Sequence, residues 1–441
     1  MTSTHDSKLA DVCIIGLGYV GLTLATAFSL AGLRVVGFER DRHIVEQISA
    51  GSSPFHEDGL DAAVQRVTSE GLLSAVDTNA SLPLAKSYVI TVGTPLRHGD
   101  VWLKDLEDAL ARVSEGMPES ALVVLRSTVR VGTTRRLALA TLAASGKQFF
   151  LAMAPERTIE GRALSELRTL PQIVGGIDDR STEAAAALFE GLGVDIVRVG
   201  TVEAAELAKL SSNTYRDLQF AFANELAYLA DTMGVDVFDV INACNHGYER
   251  MSLALPGPVA GPCLEKDAYI LAASARQYGT EAALSMTGRR TNEAMVGHVG
   301  GILLNALEAS PARIAILGIA FKGRPATSDV RGSMAREFAA DFRGRWTDVS
   351  IVGWDPLVSA ADAALIGVES MELEDSVRHA QVVLIQTNHL FFSTAEFTES
   401  LSRALMPDAI VFDLWNQVPP ELAGRSDVRV LTLGRSKVGN S

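Results

Sequence analysis

Cysteine, positive charge and long apolar runs are all scarce in this chain, and each scarcity removes a class of protein. Only 3 of 441 residues are cysteine. Cys13, Cys244 and Cys263 lie too far apart for a disulfide framework or a paired metal-ligand motif, so no metal is expected and a reducing cytoplasm is the natural compartment. Lys and Arg number 39 against 53 Asp and Glu, a formal charge of −14 with a pI near 5.1. Such a balance argues against nucleic acid or an anionic membrane as partner, and an anionic small substrate would need a local basic site. No apolar run approaches the roughly 20 residues of a spanning helix. The opening MTSTHDSK is polar, without the basic start and apolar core of a signal peptide. What is present is 47% hydrophobic content, enough for substantial cores in about three domains of ordinary size.

The first informative stretch is DVCII (11–15), a short β-branched run that feeds GLGYVG and then the helical pattern LTLATAFSLAG. In this strand, turn and helix arrangement, Gly16 permits the turn, Gly18 lets a pyrophosphate approach the backbone, and Gly21 allows close helix packing. A second strand, RVVGFE, ends at Glu39, twenty-one residues beyond Gly18. An acid there accepts hydrogen bonds from ribose hydroxyls and repels a 2′-phosphate, which favours NAD over NADP. Cys13, inside the first strand, is expected in the core.

YVITVGTP (88–95), ALVVLRSTV (121–129) and FFLAMAPER (149–157) read as buried strands that end in polar loops. Ligands collect at the carboxyl ends of strands in a doubly wound sheet, which is where Thr94, Thr128 and Glu156 fall. QIVGG (172–176) and VDIVRVG (194–200) extend the sheet, for a first domain of 1–200.

From Val202 to about Met233 the chain has no Gly or Pro and keeps apolar residues at helical spacing, so one long helix is expected. Lys209 and Asn213, four residues apart, share a face of it. The apolar stretch QFAFANELAYLA fits an oligomer interface as well as a core. Residues 235–254 read as helical in parts, with Cys244 as buried filler. PGPVAGPCLEKD (256–267) then places Cys263 on a Gly/Pro turn. A helix starting near Pro262 would hold Cys263 in its first turn, where the helix dipole and Lys266 favour the thiolate, with Asp267 on the same face. Taken alone, such a cysteine is better explained as a small buried residue after a loop, and it is the rest of the chain that overturns this reading. AYILAASARQYG and the segment near 285–307 complete a helical middle domain, 201–308.

ARIAILGIAFKG (312–323) repeats the strand and glycine-loop pattern, and SIVGWDP, QVVLIQTN and AIVFDLWN follow as strands. The expected fold class is therefore α/β, with two Rossmann-like doubly wound domains joined by a long central helix and a helical middle domain. The second sheet occupies 309–441. Lys322, Arg324 and Arg331 supply a local basic site, and DVRGSMAREF opens a helix whose N-terminal amides suit phosphate.

These motifs together carry a resemblance. GLGYVG, GSSPFHEDGL, VGTP, STVRVGTT, the Pro-Glu of APER, AELAKLSSN, GPCLEKD, ILGIAFKGRPATSDVRGS and WDP stand in the order found in the UDP-glucose/GDP-mannose 6-dehydrogenase family, from Asp11 to about Leu433. The resemblance implies an NAD-dependent nucleotide-sugar dehydrogenase, a homodimer or larger homo-oligomer, that oxidises the sugar C6 alcohol to a carboxylate with two NAD. Cys263 matches the family nucleophile, which forms a thiohemiacetal and then a thioester. Lys209 and Asn213 match the oxyanion-stabilising pair, Glu156 the base for hydrolysis, and Thr128 and Asp267 the groups that place the water. Cofactor contacts are expected from Gly16, Gly18, Tyr19, Val20, Gly21, Glu39, Arg40, Thr94 and Thr128. Substrate contacts are expected from Glu156, Arg157, Lys209, Asn213, Gly261, Lys322 and Arg331, and from Arg250, which in this family can reach a neighbouring subunit's sugar site.

Two departures bear on the sugar. Ala154 to Thr158 reads APERT, similar to the branch acting on UDP-N-acetylhexosamines, whereas glucose- and mannose-type members usually read Asn-Pro-Glu-Phe-Leu. The cysteine loop reads Gly-Pro-Cys, with its turn one residue short of the family pattern. The substrate is thus expected to be a UDP-hexose or a UDP-N-acetylhexosamine, with UDP- or dTDP-glucose as the alternative. A two-electron 3-hydroxyacid-type dehydrogenase and a non-catalytic NAD-binding scaffold stand as competing readings.

Overall fold

The computed structural model describes residues 9–97 and 99–435. It divides into two compact units, Met1–Ser212 with Tyr269–Glu281, and Asn213–Ala268 with Ala282–Ser441.

The first unit is built on ten strands: β1 (Ala10–Ile15), β2 (Val35–Glu39), β3 (Leu73–Asp77), β4 (Ala85–Ile90), the short hairpin β5 (Leu96–Arg97) and β6 (Asp100–Val101), β7 (Ala121–Leu125), β8 (Phe149–Met153), β9 (Gln172–Gly176) and β10 (Ile196–Arg198). Apart from the hairpin they form one sheet in the order β10-β9-β8-β7-β4-β1-β2-β3. From β3 to β8 all neighbours are parallel; β9 then runs antiparallel to β8. Parallel strands covered on both faces are apolar at every position, not at alternate ones. In β1, Val12 and Ile14 join one core with Leu22 and Val124, while Cys13 and Ile15 join the other with Tyr88 and Val123. Cys13 is core, as expected, and burial pushes its thiol up to about 12.

The second unit holds a sheet of six strands: β11 (Arg313–Leu317), β12 (Ser350–Trp354), β13 (Glu369–Ser370), β14 (Val382–Ile385), β15 (Ala409–Asp413) and β16 (Val428–Thr432). All pairs are parallel, in the order β13-β12-β11-β14-β15-β16. Both units thus carry a doubly wound sheet whose strand order reverses beside its first strand, the expected fold class. The edge strands β13 and β16 are additions to the strands expected from sequence.

The two sheets also share a turn. Gly16, after β1, has φ +89° and bonds its amide to Phe38 O at 2.9 Å; Gly318, after β11, has φ +85° and bonds its amide to Trp354 O at 2.9 Å. In each case an acid follows that carbonyl, Glu39 in one sheet and Asp355 in the other. Glu39 Oε2 accepts from Leu17 N at 2.5 Å, whereas Asp355 Oδ2 accepts from both Ile319 N (2.7 Å) and Ala320 N (3.0 Å).

The long helix spans Val202–Met233, 32 residues, and the division between units falls inside it, after Ser212. Helices Val237–Asn245, Leu264–Gln277, Ala283–Glu293 and Met295–Ala306 form the helical middle. Of residues 235–254 only Val237–Asn245 is helical. Cys244 is a correction: it is exposed, not buried filler. That helix buries Val237, Phe238 and Ile241, and Cys244 lies one turn beyond the last of them. Among the described residues no helix is long and apolar enough to cross a membrane.

Candidate functional site

In the first unit the glycine turn after β1 forms a cradle. A Cβ added at Gly21 would lie 1.8 Å from Gly16 O, so only glycine lets the helix Tyr19–Leu30 pack there. A Cβ at Gly18 would meet nothing within 4 Å. Bare backbone therefore faces open space at the start of a helix whose N-cap, Gly18, supplies no side-chain acceptor to the first amides. That shape and polarity suit a pyrophosphate. Tyr19 stacks on Phe55 at 3.9 Å and donates its hydroxyl to His56 O, so GSSPFHEDGL covers the helix entrance; Val20 is the next residue of that helix. Glu39 sits at the end of β2, its Oε1 accepting from the amides of Arg40 (2.8 Å) and Asp41 (2.9 Å). The Arg40 side chain reaches out to Asp105 at 2.9 Å. Thr94 donates its hydroxyl to Thr128 O at 2.6 Å, joining the loops after β4 and β7.

Glu156, three residues beyond β8, is buried and has an escort that the sequence did not announce. Arg126 donates Nε (3.0 Å) and Nη2 (2.6 Å) to Glu156 Oε2, while Oε1 accepts from the amides of Arg157 and Thr158, both at 2.7 Å. Burial alone would push the Glu156 carboxyl up. The charge of Arg126, the Thr158 amide, the Arg126 hydrogen bonds and the charge of Lys209 outweigh it and hold the carboxyl below its ordinary range. Lys209 is itself buried. One turn before it, Glu206 accepts from Gly132 N, Thr134 N and the Thr134 hydroxyl, which ties the STVRVGTT loop to the long helix. The Arg157 guanidinium donates to Pro171 O at 2.5 Å.

In the second unit, Asp267 is buried and accepts from Asn213 Nδ2 at 2.6 Å. Cys263, exposed, lies one turn earlier. Its position is a small correction: the helix begins at Leu264, and Cys263 is the residue before it, its carbonyl accepting from Lys266 N and Asp267 N. The start is delayed because Gly261 takes φ +98° and bonds its amide to Gly332 O at 2.9 Å, which holds the chain in a turn. A Cβ at Gly261 would lie 2.4 Å from the Phe321 ring, so glycine is required there twice over.

The cysteine loop is also fastened from behind by four buried polar side chains. Asn224 exchanges bonds with Gly257 (N to Oδ1 2.8 Å, Nδ2 to O 3.1 Å) and donates to Asn292 Oδ1. Asn292 donates to Asp217, which pairs with Arg289 at 2.8 Å. Arg289 donates in turn to the carbonyls of Leu264 and Val259, at 3.3 and 3.4 Å. Sequence reading passed over this group. Its signal is polar side chains at 217 and 224 on the long helix and at 289 and 292 on Ala283–Glu293, where the helix buries Ser285, Gly288, Arg289 and Asn292.

The basic loop is present, but its charges are engaged. Arg331 forms a two-pronged pair with Asp329, Nη2 to Oδ2 at 2.6 Å, and Arg324 donates to Asn388 O at 2.7 Å. Lys322 lies over the Phe321 ring at 5.2 Å. The helix Met334–Arg345 does follow, with Ser333 accepting from Ala335 N as its cap. Arg250 lies over Tyr248 at 4.9 Å, in the loop after Val237–Asn245. Within single units, therefore, the fold joins Thr94 to Thr128 and Asn213 to Asp267, and sets Glu156 in the field of Lys209. It turns Arg250 and Arg331 onto local partners.

Comparison with known proteins covers nearly the whole chain. Residues 10–193 match the NAD binding domain of the UDP-glucose/GDP-mannose dehydrogenase family, 203–294 its central domain and 315–420 its UDP binding domain. A UDP-N-acetyl-D-mannosamine dehydrogenase from Pyrococcus horikoshii is 33% identical over 410 residues, 91% of this chain and 94% of that protein. An NDP-N-acetyl-D-galactosaminuronic acid dehydrogenase from Ralstonia nicotianae is 30% identical over 424 residues, 92% and 97% of the two chains. The solved structure of a UDP-D-ManNAc dehydrogenase from Pyrococcus horikoshii superposes with a TM-score of 0.87 at 32% identity, over 97% of this chain and all of that one. With the glycine cradle and the end-of-strand acid already in place for the cofactor, the chain belongs to the UDP-glucose/GDP-mannose dehydrogenase family of NAD-dependent nucleotide-sugar dehydrogenases.

Proposed function

We propose that this chain oxidises the C6 alcohol of a UDP-N-acetylhexosamine, or of a UDP-hexose, to the carboxylate in two successive two-electron steps. The observation that carries the reading is Asp267, buried and bonded to Asn213, one helical turn from Cys263. It fixes an amide donor beside a thiol placed at a helix start, where the dipole favours the thiolate. The Cys263 sulfur adds to the C6 aldehyde to give a thiohemiacetal, and its oxidation gives a thioester. Water then cleaves the C–S bond, the acid leaves and the thiol is restored. Lys209 and Asn213 stabilise the oxyanion, and Glu156, Thr128 and Asp267 serve the hydrolysis. When bound, NAD supplies the hydride acceptor for each oxidation, held by Gly16, Gly18, Tyr19, Val20, Gly21, Glu39, Arg40, Thr94 and Thr128.

Several finer readings belong with this one. The functional divisions are 1–200, 201–308 and 309–441, with Arg157, Arg250, Gly261, Lys322 and Arg331 contributing to the nucleotide sugar. APERT and the names of the relatives favour the 2-acetamido substrate. A homo-oligomer is supported by Tyr215, Phe222 and Leu229, exposed at 63, 51 and 46% and seven residues apart, which draws one apolar line along the long helix. The cysteine content favours the cytoplasm, and the net acidity counts against nucleic acid or membrane partners.

The test is NADH production across UDP-, dTDP- and GDP-sugars with and without a 2-acetamido group. Two NADH per sugar and a preference for UDP-N-acetylhexosamines are expected. One NADH per substrate would sink the four-electron scheme, and a best substrate lacking the acetamido group would overturn the sugar assignment. For the cofactor, Glu39→Ala is expected to raise KM for NAD roughly tenfold, the scale of one charged hydrogen bond, and to narrow the preference over NADP. An unchanged NAD/NADP ratio of kcat/KM would remove Glu39 from ribose recognition.

A further inference from the structure

Arg126 is, with Arg289, the largest fully buried side chain among the described residues, and every group on it faces a partner. Nε and Nη2 grip Glu156 Oε2, Nη1 donates to Ala154 O at 3.0 Å, Nη2 also donates to Gln172 Oε1 at 3.0 Å, and the guanidinium lies over Phe189 at 5.1 Å. An ionised carboxylate offers about four acceptor positions. In Glu156 all four are filled, two by Arg126 and two by backbone amides. The backbone pair is fixed by the turn after β8, so the bonds that decide how Glu156 meets a water or a proton are those of Arg126.

We propose that Arg126 is the positioning residue of the hydrolytic half-reaction, holding Glu156 ionised and in one orientation as water cleaves the Cys263 thioester. This rests on the proposed role of Glu156 as the hydrolytic carboxylate. In that step the water oxygen bonds to the acyl carbon, the C–S bond breaks, sulfur leaves with its electron pair, and the protons of water pass to the solvent through Glu156, whose Oε2 gives up one Arg126 bond to take the first. No oxidant is consumed. Without the fork, Glu156 would be a buried carboxyl with backbone donors alone, and burial favours its neutral form. Glu156 would then be protonated at pH values where it is now ionised, and hydrolysis would fail on the acid side first.

The experiment compares Arg126→Lys, Arg126→Met and Glu156→Gln by the pH profile of kcat and by intact mass under turnover. The acid limb of kcat is expected to move up by one or more pH units in Arg126→Lys, and further in Arg126→Met, with KM for the sugar within about twofold. A sugar adduct on Cys263 should accumulate below neutral pH and clear when the pH is raised. Arg126→Lys keeps a cation in the same cavity and carries the test whether or not Arg126→Met folds. Loss of thermal stability with a wild-type pH profile and no adduct would reduce Arg126 to a structural role and overturn the proposal. If Glu156→Gln accumulates the adduct while the Arg126 variants do not, the proposal falls and the reading of Glu156 stands. If Glu156→Gln turns over normally, that reading falls and takes the proposal with it.

Discussion

Cys263→Ser is expected to lower four-electron turnover by at least about a thousandfold, the scale seen when a covalent nucleophile is removed. The fold should survive, because Cys263 is exposed and its carbonyl, not its sulfur, starts the helix. A serine hydroxyl keeps the size of the group but ionises far above a thiol. The variant should therefore release NADH from the first oxidation and then stall. NADH counted per sugar consumed, together with the intact mass of the chain, checks this. Two NADH per sugar at a rate within tenfold of the parent would eliminate the thioester route and leave a four-electron oxidation that does not use the cysteine.

Arg289→Met is expected to give the largest loss of stability of any single change in the second unit. Asp217 would be left with no cation in a site where its side chain is 1% exposed. Burial already pushes this carboxyl up, against the opposing charge of Arg289. Removing one member of a buried pair costs about 3–5 kcal/mol, which for a unit of this size lowers Tm by roughly 10 °C. Adding Asp217→Asn to the variant should restore much of the loss, because the stranded charge goes with it. Calorimetry on the parent, both singles and the double closes the cycle. A loss under about 1 kcal/mol for Arg289→Met would mean that water replaces the guanidinium, and that the cysteine loop does not depend on it.

The parts of the fold that were legible in sequence are those where one residue type admits one conformation. Gly16, Gly21 and Glu39 stand in register because the turn, the helix contact and the end of β2 each demand them. The long helix was readable to its ends because 32 residues without Gly or Pro have no place to break. Arg126 was not, since a charged residue after a buried strand reads as the start of a solvated loop. Only the antiparallel entry of β9, which brings Gln172 to the end of the sheet where β8 finishes, shows that this loop is interior. Cys263 was misplaced by one residue because the proline before it is a good helix starter, and the bond from Gly261 to Gly332, seventy-one positions on, has no local signature. Cys244 was misjudged because composition says that cysteines are buried, while helix geometry put this one past the last residue of its buried face.

The shared turn of the two sheets has a consequence for the order of events. Placed in register, GLGYVG falls on GIAFKG, so Ala320 replaces Gly18 and sets a methyl group where the first sheet leaves bare backbone. Asp355 commits both oxygens to amides, Oδ2 to Ile319 and Ala320 and Oδ1 to Leu357 and Val358, as Glu39 does to Leu17, Arg40 and Asp41, so the methyl group of Ala320 is what separates the two turns. The duplicated scaffold therefore offers one berth of this kind, not two. A reaction that removes four electrons has to use that berth serially, and the sugar must wait through a change of occupant. In the proposed reaction, attachment to sulfur would then be a mooring as much as a chemical step, holding a half-oxidised guest in place while the turn after β1 empties and fills again.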